Sequence, residues 1–156
     1  MTDIPLLNSP SKTSTVLILT GLVVSLVGCF LPWGEFRWSF NELVAYPEIK
    51  IRMRLSLGTI SFFGCTFAAF FQLVHQARKR ARFALATLLG SLIAMTCSGT
   101  WILEPGAFEH SYGVYTSLYG ADITLIGSII TSATVLLFLT VMAEKTVLLA
   151  QNTAKN

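Results

Sequence analysis

A chain of 156 residues has the usual length of one domain, but 53% of its residues are hydrophobic and only 12% are charged. This composition is too apolar for a soluble domain, and it implies a bilayer. We expect no nucleic-acid partner.

Apolar segments of membrane-spanning length recur along the chain. A helix that crosses about 30 Å of hydrocarbon needs about 20 mostly apolar residues. The sequence therefore predicts an all-α integral membrane protein, a four-helix transmembrane bundle occupying residues 14–146. The predicted spans are 14–33, 56–76, 83–103 and 123–143.

Span one contains the stretch LVGC (26–29), which also fits a bacterial lipobox, where a signal peptide is cut before a cysteine that then carries lipid. The single Lys12 makes a weak basic region, and apolar residues continue past Cys29 to Trp33 in place of a polar linker. We therefore predict an uncut span. A lipoprotein cleaved before Cys29 is the alternative.

The first outer loop, residues 34–55, has the two-residue rhythm of β-strands. Apolar and polar residues alternate in EFRWSF (35–40) and EIKIRMRL (48–55), with a Tyr-Pro turn between them. The third loop repeats the alternation in SYGVYTSL (111–118). The sequence predicts a small extracytoplasmic β-sheet formed by loops 1 and 3, with one apolar and one basic face.

The basic face is a candidate contact for lipid phosphates or an acidic partner, since each positive charge near an anionic surface adds about 1 kcal/mol. The same charges also suit a solvated strand face that prevents edge aggregation, and the sequence leaves both interpretations open. The acidic residues of loop 3 are a possible electrostatic mate. The candidate contact residues are Arg37, Trp38, Lys50, Arg52 and Arg54.

All tryptophans and tyrosines lie in or beside the outer loops. Amphipathic rings favour the headgroup layer, so we predict a one-sided aromatic belt, with a docking surface for a partner as the alternative. These residues are Trp33, Trp38, Trp101, Tyr46, Tyr112, Tyr115 and Tyr119.

Small residues recur at helical spacing in every predicted span. Helices in a bilayer associate through close backbone packing and side-chain hydrogen bonds, which favours such stripes. We interpret them as bundle packing, with a hydrophilic pathway as the alternative. The stripes are Gly21, Ser25 and Gly28 in span one, Ser61, Cys65 and Ala69 in span two, Ala86, Gly90, Ala94 and Ser98 in span three, and Thr124, Gly127, Ser128, Thr131 and Ser132 in span four.

Between the span ends the sequence has none of the charged or histidine residues that ion and proton pathways retain in a membrane. His75 lies at the inner end of span two. Asp122, a candidate polar contact, is predicted to meet the positive end of a helix dipole, with an ion contact as the alternative. We interpret Cys29, Cys65 and Cys97 as small packing residues, because none belongs to a C-x-x-C pair.

The basic residues predict the orientation of the chain. An even number of spans places both termini on the side of the loop HQARKRAR (75–82), and this side has seven lysines and arginines against four on the other. Such residues accumulate in short cytoplasmic loops. We therefore expect cytoplasmic tails at 1–13 and 147–156, in a protein of the plasma membrane.

The stretch LPW (31–33), the basic inner loop and outer strands over four helices resemble the claudin-type tetraspan layout, although loop 1 lacks that family's Trp-Gly-Leu-Trp and paired-cysteine signature. The chain is also similar to small, mostly uncharacterised four-span prokaryotic proteins with Leu-Pro-Trp after the first helix and Gly-Tyr-Gly-like residues before the fourth, here 111–113. This resemblance implies no activity and carries no functional residue.

These patterns favour a non-catalytic structural or accessory subunit that packs into a larger or homo-oligomeric membrane assembly, in contact with lipids and with a protein partner or second copy. A small channel or transporter is the alternative, and it requires a polar line through the bundle. No cofactor or metal is expected, since His75 and His110 fall on opposite sides of the membrane and cannot pair on a bilayer haem.

Overall fold

The computed structural model describes residues 12–38, 49–51, 57–104 and 113–153. Within these ranges four helices are each long and apolar enough to cross a membrane, which confirms the helical part of the predicted fold. They are α1 (Lys12–Phe30), α2 (Leu57–Arg78), α3 (Ala81–Leu103) and α4 (Tyr119–Thr153).

The helix ends follow from local chemistry. Helix α1 ends two residues before Pro32, because proline cannot donate a backbone hydrogen bond and disfavours helical geometry in the residue before it. Between α2 and α3 the chain reverses at Lys79, whose φ of 48° lies in the left-handed region. The Lys79 amide donates to the His75 carbonyl at 2.7 Å, which closes the last turn of α2.

Helix α4 extends beyond the predicted end of span four. The boundary predicted at residue 146 falls inside the helix, which continues to Thr153. The reason is composition: the segment AEKTVLLAQN is rich in alanine, leucine, glutamate, lysine and glutamine, which are strong helix formers.

The helices pack as two close pairs, α1 with α4 and α2 with α3. Helices α3 and α4 join the pairs, and α1 makes a smaller contact with α2. Two buried clusters fill the interior. We use outer for the end of the bundle that carries the strands and inner for the end that carries the α2–α3 turn. The outer cluster is Cys29, Trp33, Leu57, Cys65, Ala94, Cys97, Trp101 and Ala121, and the inner one is Ile18, Leu22, Ala68, Ala84 and Val135.

Short strands lie between the helices, and within the described backbone they are β1 (Gly34–Trp38), β2 (Ile49–Ile51) and β3 (Gly113–Ser117). They pair antiparallel in the order β2-β1-β3, with Gly34 opposite both Ile51 and Ser117. The predicted basic and apolar faces lie outside the described side chains, as do the candidate contacts Arg37, Trp38, Lys50, Arg52 and Arg54. The extracytoplasmic position of these strands stays a prediction.

Candidate functional site

The segment that follows α1 ties the outer ends of three helices together. The Trp101 indole Nε1 of α3 donates to the Trp33 carbonyl at 2.7 Å, and the Leu118 amide donates to the same oxygen at 2.8 Å. The Gly120 amide of α4 donates to the Pro32 carbonyl at 3.0 Å. Because this segment is not helical, its carbonyls are free to accept bonds from neighbouring helices.

The belt interpretation is wrong for two of the tryptophans. Trp33 and Trp101 are only 3% and 2% exposed, and their rings meet edge to face at 6.2 Å. Each indole N–H has a carbonyl partner inside the protein, since Trp33 Nε1 donates to the Gly28 carbonyl at 3.1 Å. A buried indole whose N–H already has a hydrogen-bond partner inside the protein does not have to lie in the headgroup layer. Tyr119 is 53% exposed, whereas the side chains of Trp38, Tyr46, Tyr112 and Tyr115 lie outside the described residues.

Glycines bring the backbones of α1 and α4 into direct contact. A Cβ atom placed on Gly127 would lie 2.5 Å from the Ser25 amide nitrogen and 2.6 Å from the Gly21 carbonyl oxygen. One placed on Gly28 would lie 2.5 Å from the Thr124 amide nitrogen. These separations are too short for any side chain, so three of the predicted packing glycines lie at the seam of this helix pair.

A similar seam joins α2 and α3. A Cβ atom on Gly90 would lie 2.6 Å from the Gly64 carbonyl oxygen, and one on Gly64 would lie 2.8 Å from the Gly90 carbonyl oxygen. The predicted packing residues Ala94 and Ser98 are fully buried on the same side of α3. The sequence interpretation missed Gly64, although Gly64 and Ala68 form a small-xxx-small pair that could have revealed it.

The hydroxyl groups of the stripes are used in hydrogen bonds between and within helices. Ser128 Oγ donates to the Thr124 carbonyl at 2.7 Å, and Ser25 Oγ of α1 lies 3.3 Å from the same carbonyl oxygen and 3.2 Å from Ser128 Oγ. Between α3 and α4, Ser91 Oγ donates its hydrogen to the Leu88 carbonyl, so the Ser132 hydroxyl is the donor in the 2.9 Å bond to Ser91. These serines therefore act as links between helices.

The cysteines are buried in the bundle. Cys29, Cys65 and Cys97 are free thiols that are 0%, 1% and 8% exposed. Cys29 of α1 and Cys65 of α2 belong to the same buried cluster, and Thr124 Oγ1 of α4 lies 3.9 Å from Cys29 Sγ.

A polar group not recognised from the sequence lies near the inner end of the bundle. We call Gln72, His75, Gln76 and Thr87 the inner polar cluster. Gln72 and His75 are each only 1% exposed, and Gln72 Oε1 lies 3.5 Å from Thr87 Oγ1 on α3. The sequence interpretation missed Gln72, because this side chain is neutral and only charged residues and histidines were considered within the apolar spans.

Asp122 is separate from these contacts. It is exposed in the first turn of α4, at the position where a carboxylate is stabilised by the helix dipole. His110 lies outside the described residues. Among the residues that are described, no group of three histidines, cysteines or carboxylates has the arrangement of a metal site.

Compared with known proteins, the chain matches no protein-family model, no curated protein and no solved structure.

Proposed function

We propose that this chain is a non-catalytic, multi-pass structural or accessory subunit that associates with a protein partner or a second copy. In this proposal both termini are cytoplasmic, the three strands face outward, and the protein resides in the plasma membrane. The basic residues of the inner loop and tails support this orientation.

The observation that carries the proposal is the way the small residues are used. Gly21, Gly28, Gly64, Gly90 and Gly127 all lie against the backbone of a neighbouring helix, where no side chain fits. The buried serines of the stripes link one helix to another. Close contacts between helices at these positions favour a packing role over a hydrophilic pathway for ions.

The position of Cys29 supports an uncut first span. Cys29 is fully buried at the next-to-last residue of α1, and Trp33 lies four residues later inside the same outer cluster. A cleavage before Cys29 would remove Gly21, Ser25 and Gly28, the residues that hold α1 against α4.

Because the small-residue stripes are occupied within the bundle, we assign partner binding to the outer segments. The candidate surface is the basic row formed by Lys50, Arg52 and Arg54, with Arg37 and Trp38 on the preceding stretch. Lysine and arginine side chains in this row would attract an acidic surface on the partner and speed its encounter. Lipid phosphates are the competing ligand for the same charges.

A charge-reversal experiment tests this assignment. The triple variant Lys50→Glu, Arg52→Glu, Arg54→Glu should lose the partner or second copy that co-purifies with the native chain after crosslinking in membranes and mild detergent extraction. The matched control is Lys12→Glu with Lys145→Glu, two exposed positions on helices, and it should retain the complex. A native chain that stays monomeric and alone after crosslinking would contradict the proposal.

A further inference from the structure

The inner polar cluster contains more hydrogen-bonding capacity than its neighbours use. Gln72, His75 and Gln76 stand at i, i+3 and i+4 on α2, so their side chains share one face of that helix. The surroundings are apolar: the His75 ring meets Phe138 of α4 edge to face at 5.6 Å, and Phe138 packs on the inner buried cluster.

One bond sets the chemistry of the histidine. His75 Nδ1 lies 3.1 Å from the Arg80 carbonyl oxygen. A carbonyl can only accept, so Nδ1 carries the hydrogen, and the neutral ring presents a lone pair at Nε2. The turn between α2 and α3 therefore fixes both the tautomer and the direction of this acceptor.

The amide of Gln72 is held only weakly by its neighbour. Thr87 Oγ1 is 3.0 Å from the Phe83 carbonyl and 3.5 Å from Gln72 Oε1, and a single hydroxyl hydrogen cannot serve both acceptors well. With this contact on its oxygen, the Gln72 amide has its NH₂ group available for another partner.

Three buried nitrogen atoms remain without a partner within the described part of the chain: Nε2 of Gln72, of His75 and of Gln76. Two are N–H donors and one is a lone-pair acceptor. Leaving such groups unpaired in a protein interior costs about 1–3 kcal/mol each.

Two hydrogen-bond donors and one acceptor limit the kinds of ligand that can bind to this cluster. A hydroxyl oxygen accepts two hydrogen bonds and donates one, which matches two amides and one imidazole lone pair. A metal ion would find only one ligand atom, since the free amide atoms are nitrogens that carry hydrogen. An anion would face the imidazole lone pair and be repelled.

We propose that the inner polar cluster binds one hydroxyl oxygen inside the bundle, supplied by water or by a membrane-soluble long-chain alcohol. The oxygen accepts from Gln72 and Gln76 and donates to His75 Nε2. This site is independent of the partner surface proposed on the outer side.

Thermal unfolding of the full chain in lipid nanodiscs tests whether an oxygen is bound. Gln72→Met keeps the side-chain length and removes the amide, and His75→Phe removes the lone pair. Each should lower Tm, and the double variant should lose less than the two single losses added, because both groups bind the same oxygen. The control Gln151→Met changes an exposed glutamine and should leave Tm unchanged. Gln72→Met also loses the contact between Gln72 and Thr87, and the Thr87→Val variant measures the change in Tm from losing that contact alone.

A photolabelling experiment identifies the source of the oxygen. The probes are a diazirine-bearing hexadecanol and its methyl ether, which keeps the oxygen but has no hydrogen to give to His75. For a lipid alcohol, labelling around the cluster should be about fivefold stronger with the alcohol than with the ether, the ratio expected for one hydrogen bond. Gln72→Met should lower labelling by the alcohol by a similar factor. Equal labelling by both probes, together with non-additive Tm losses, assigns the oxygen to water.

A rise in Tm for Gln72→Met would overturn the proposal, because removal of a truly unpaired amide relieves its desolvation cost. Additive Tm losses would overturn it as well. If the variants fail to fold, the ¹⁵N resonance of His75 Nε2 in the native chain decides the matter. A lone pair that accepts a hydrogen bond resonates upfield of a bare one, and a bare lone pair would refute the site.

Discussion

At Gly90 the backbones of α2 and α3 approach so closely that one additional carbon atom has no space. We predict that Gly90→Ala lowers the free energy of unfolding by about 1–3 kcal/mol, the usual cost of overpacking, because its Cβ would lie 2.6 Å from the Gly64 carbonyl oxygen. Gly90→Leu should prevent assembly of the bundle. Thermal unfolding in detergent, followed by circular dichroism, measures both.

Gly99 provides the matched control for Gly90, since it lies on the same helix and a Cβ there meets its nearest neighbour, Leu125, at 4.0 Å. Gly99→Ala should be tolerated and should gain the helix propensity of alanine. Equal losses of stability at the two positions would show that the effect is not one of backbone contact.

The burial of Cys29 leads to a prediction about signal-peptide cleavage and lipidation. Cys29 is fully buried, and its thiol lies against Thr124 of α4, so we expect no cleavage before it and no lipid on it. The intact mass of the membrane-extracted protein should include residues 1–28 and no acyl chain. A mass that lacks this segment and carries lipid would establish the lipoprotein alternative and remove span one.

Some of the helix-packing residues could be predicted from the sequence, and others could not. Gly90, Ala94 and Ser98 stand out through their four-residue spacing, which requires only the helical period. Gly64 was missed because the neighbouring stripe of Ser61 and Cys65 has the same spacing, and periodicity alone does not choose between two adjacent faces.

Among the helices and their connections, the Leu-Pro-Trp segment is a joint between α1, α3 and α4. Trp101→Phe removes the indole N–H that reaches the Trp33 carbonyl, and that oxygen keeps its bond from Leu118. We predict a stability loss of about 1 kcal/mol from the lost bond, with an additional loss from the cavity. Tyr119→Phe, at an exposed aromatic residue, should change the unfolding temperature little. Similar losses of stability in both variants would contradict the role of the Leu-Pro-Trp segment as a joint between these helices.

The helices were easier to predict from the sequence than the segments that connect them. Hydropathy over about 20 residues identifies the spans because the bilayer imposes their length. The buried positions of Trp33 and Trp101 could not be read from a pattern, since each depends on how the chain turns at the end of α1. The Trp33 indole donates to the Gly28 carbonyl, and the Trp101 indole donates to the Trp33 carbonyl. Helix α4 is longer than its predicted span because loss of hydropathy marks a membrane boundary and does not end a helix.

For the whole molecule, the orientation in the membrane is the property that most needs a measurement. We expect Ser39→Cys and Ser111→Cys to react with an impermeant maleimide on intact cells, and Lys79→Cys to remain unlabelled. Lys79 is exposed, so a lack of reaction there reports the side of the membrane and not burial. The native cysteines are buried and should contribute little background. Labelling at Lys79→Cys alone would reverse the topology.

The length of α4 has a mechanical consequence. Its 35 residues form a rod about 52 Å long, whereas the hydrocarbon layer is about 30 Å thick. Its outer end is anchored by the bond from Gly120 to Pro32, and its far end bears the exposed residues Val147 and Leu148. A rigid lever of this kind converts a small change of tilt at the outer anchor into a larger lateral displacement at its inner tip. If the proposed partner holds the strands, a change of tilt there reaches the far end of α4 as a lateral displacement.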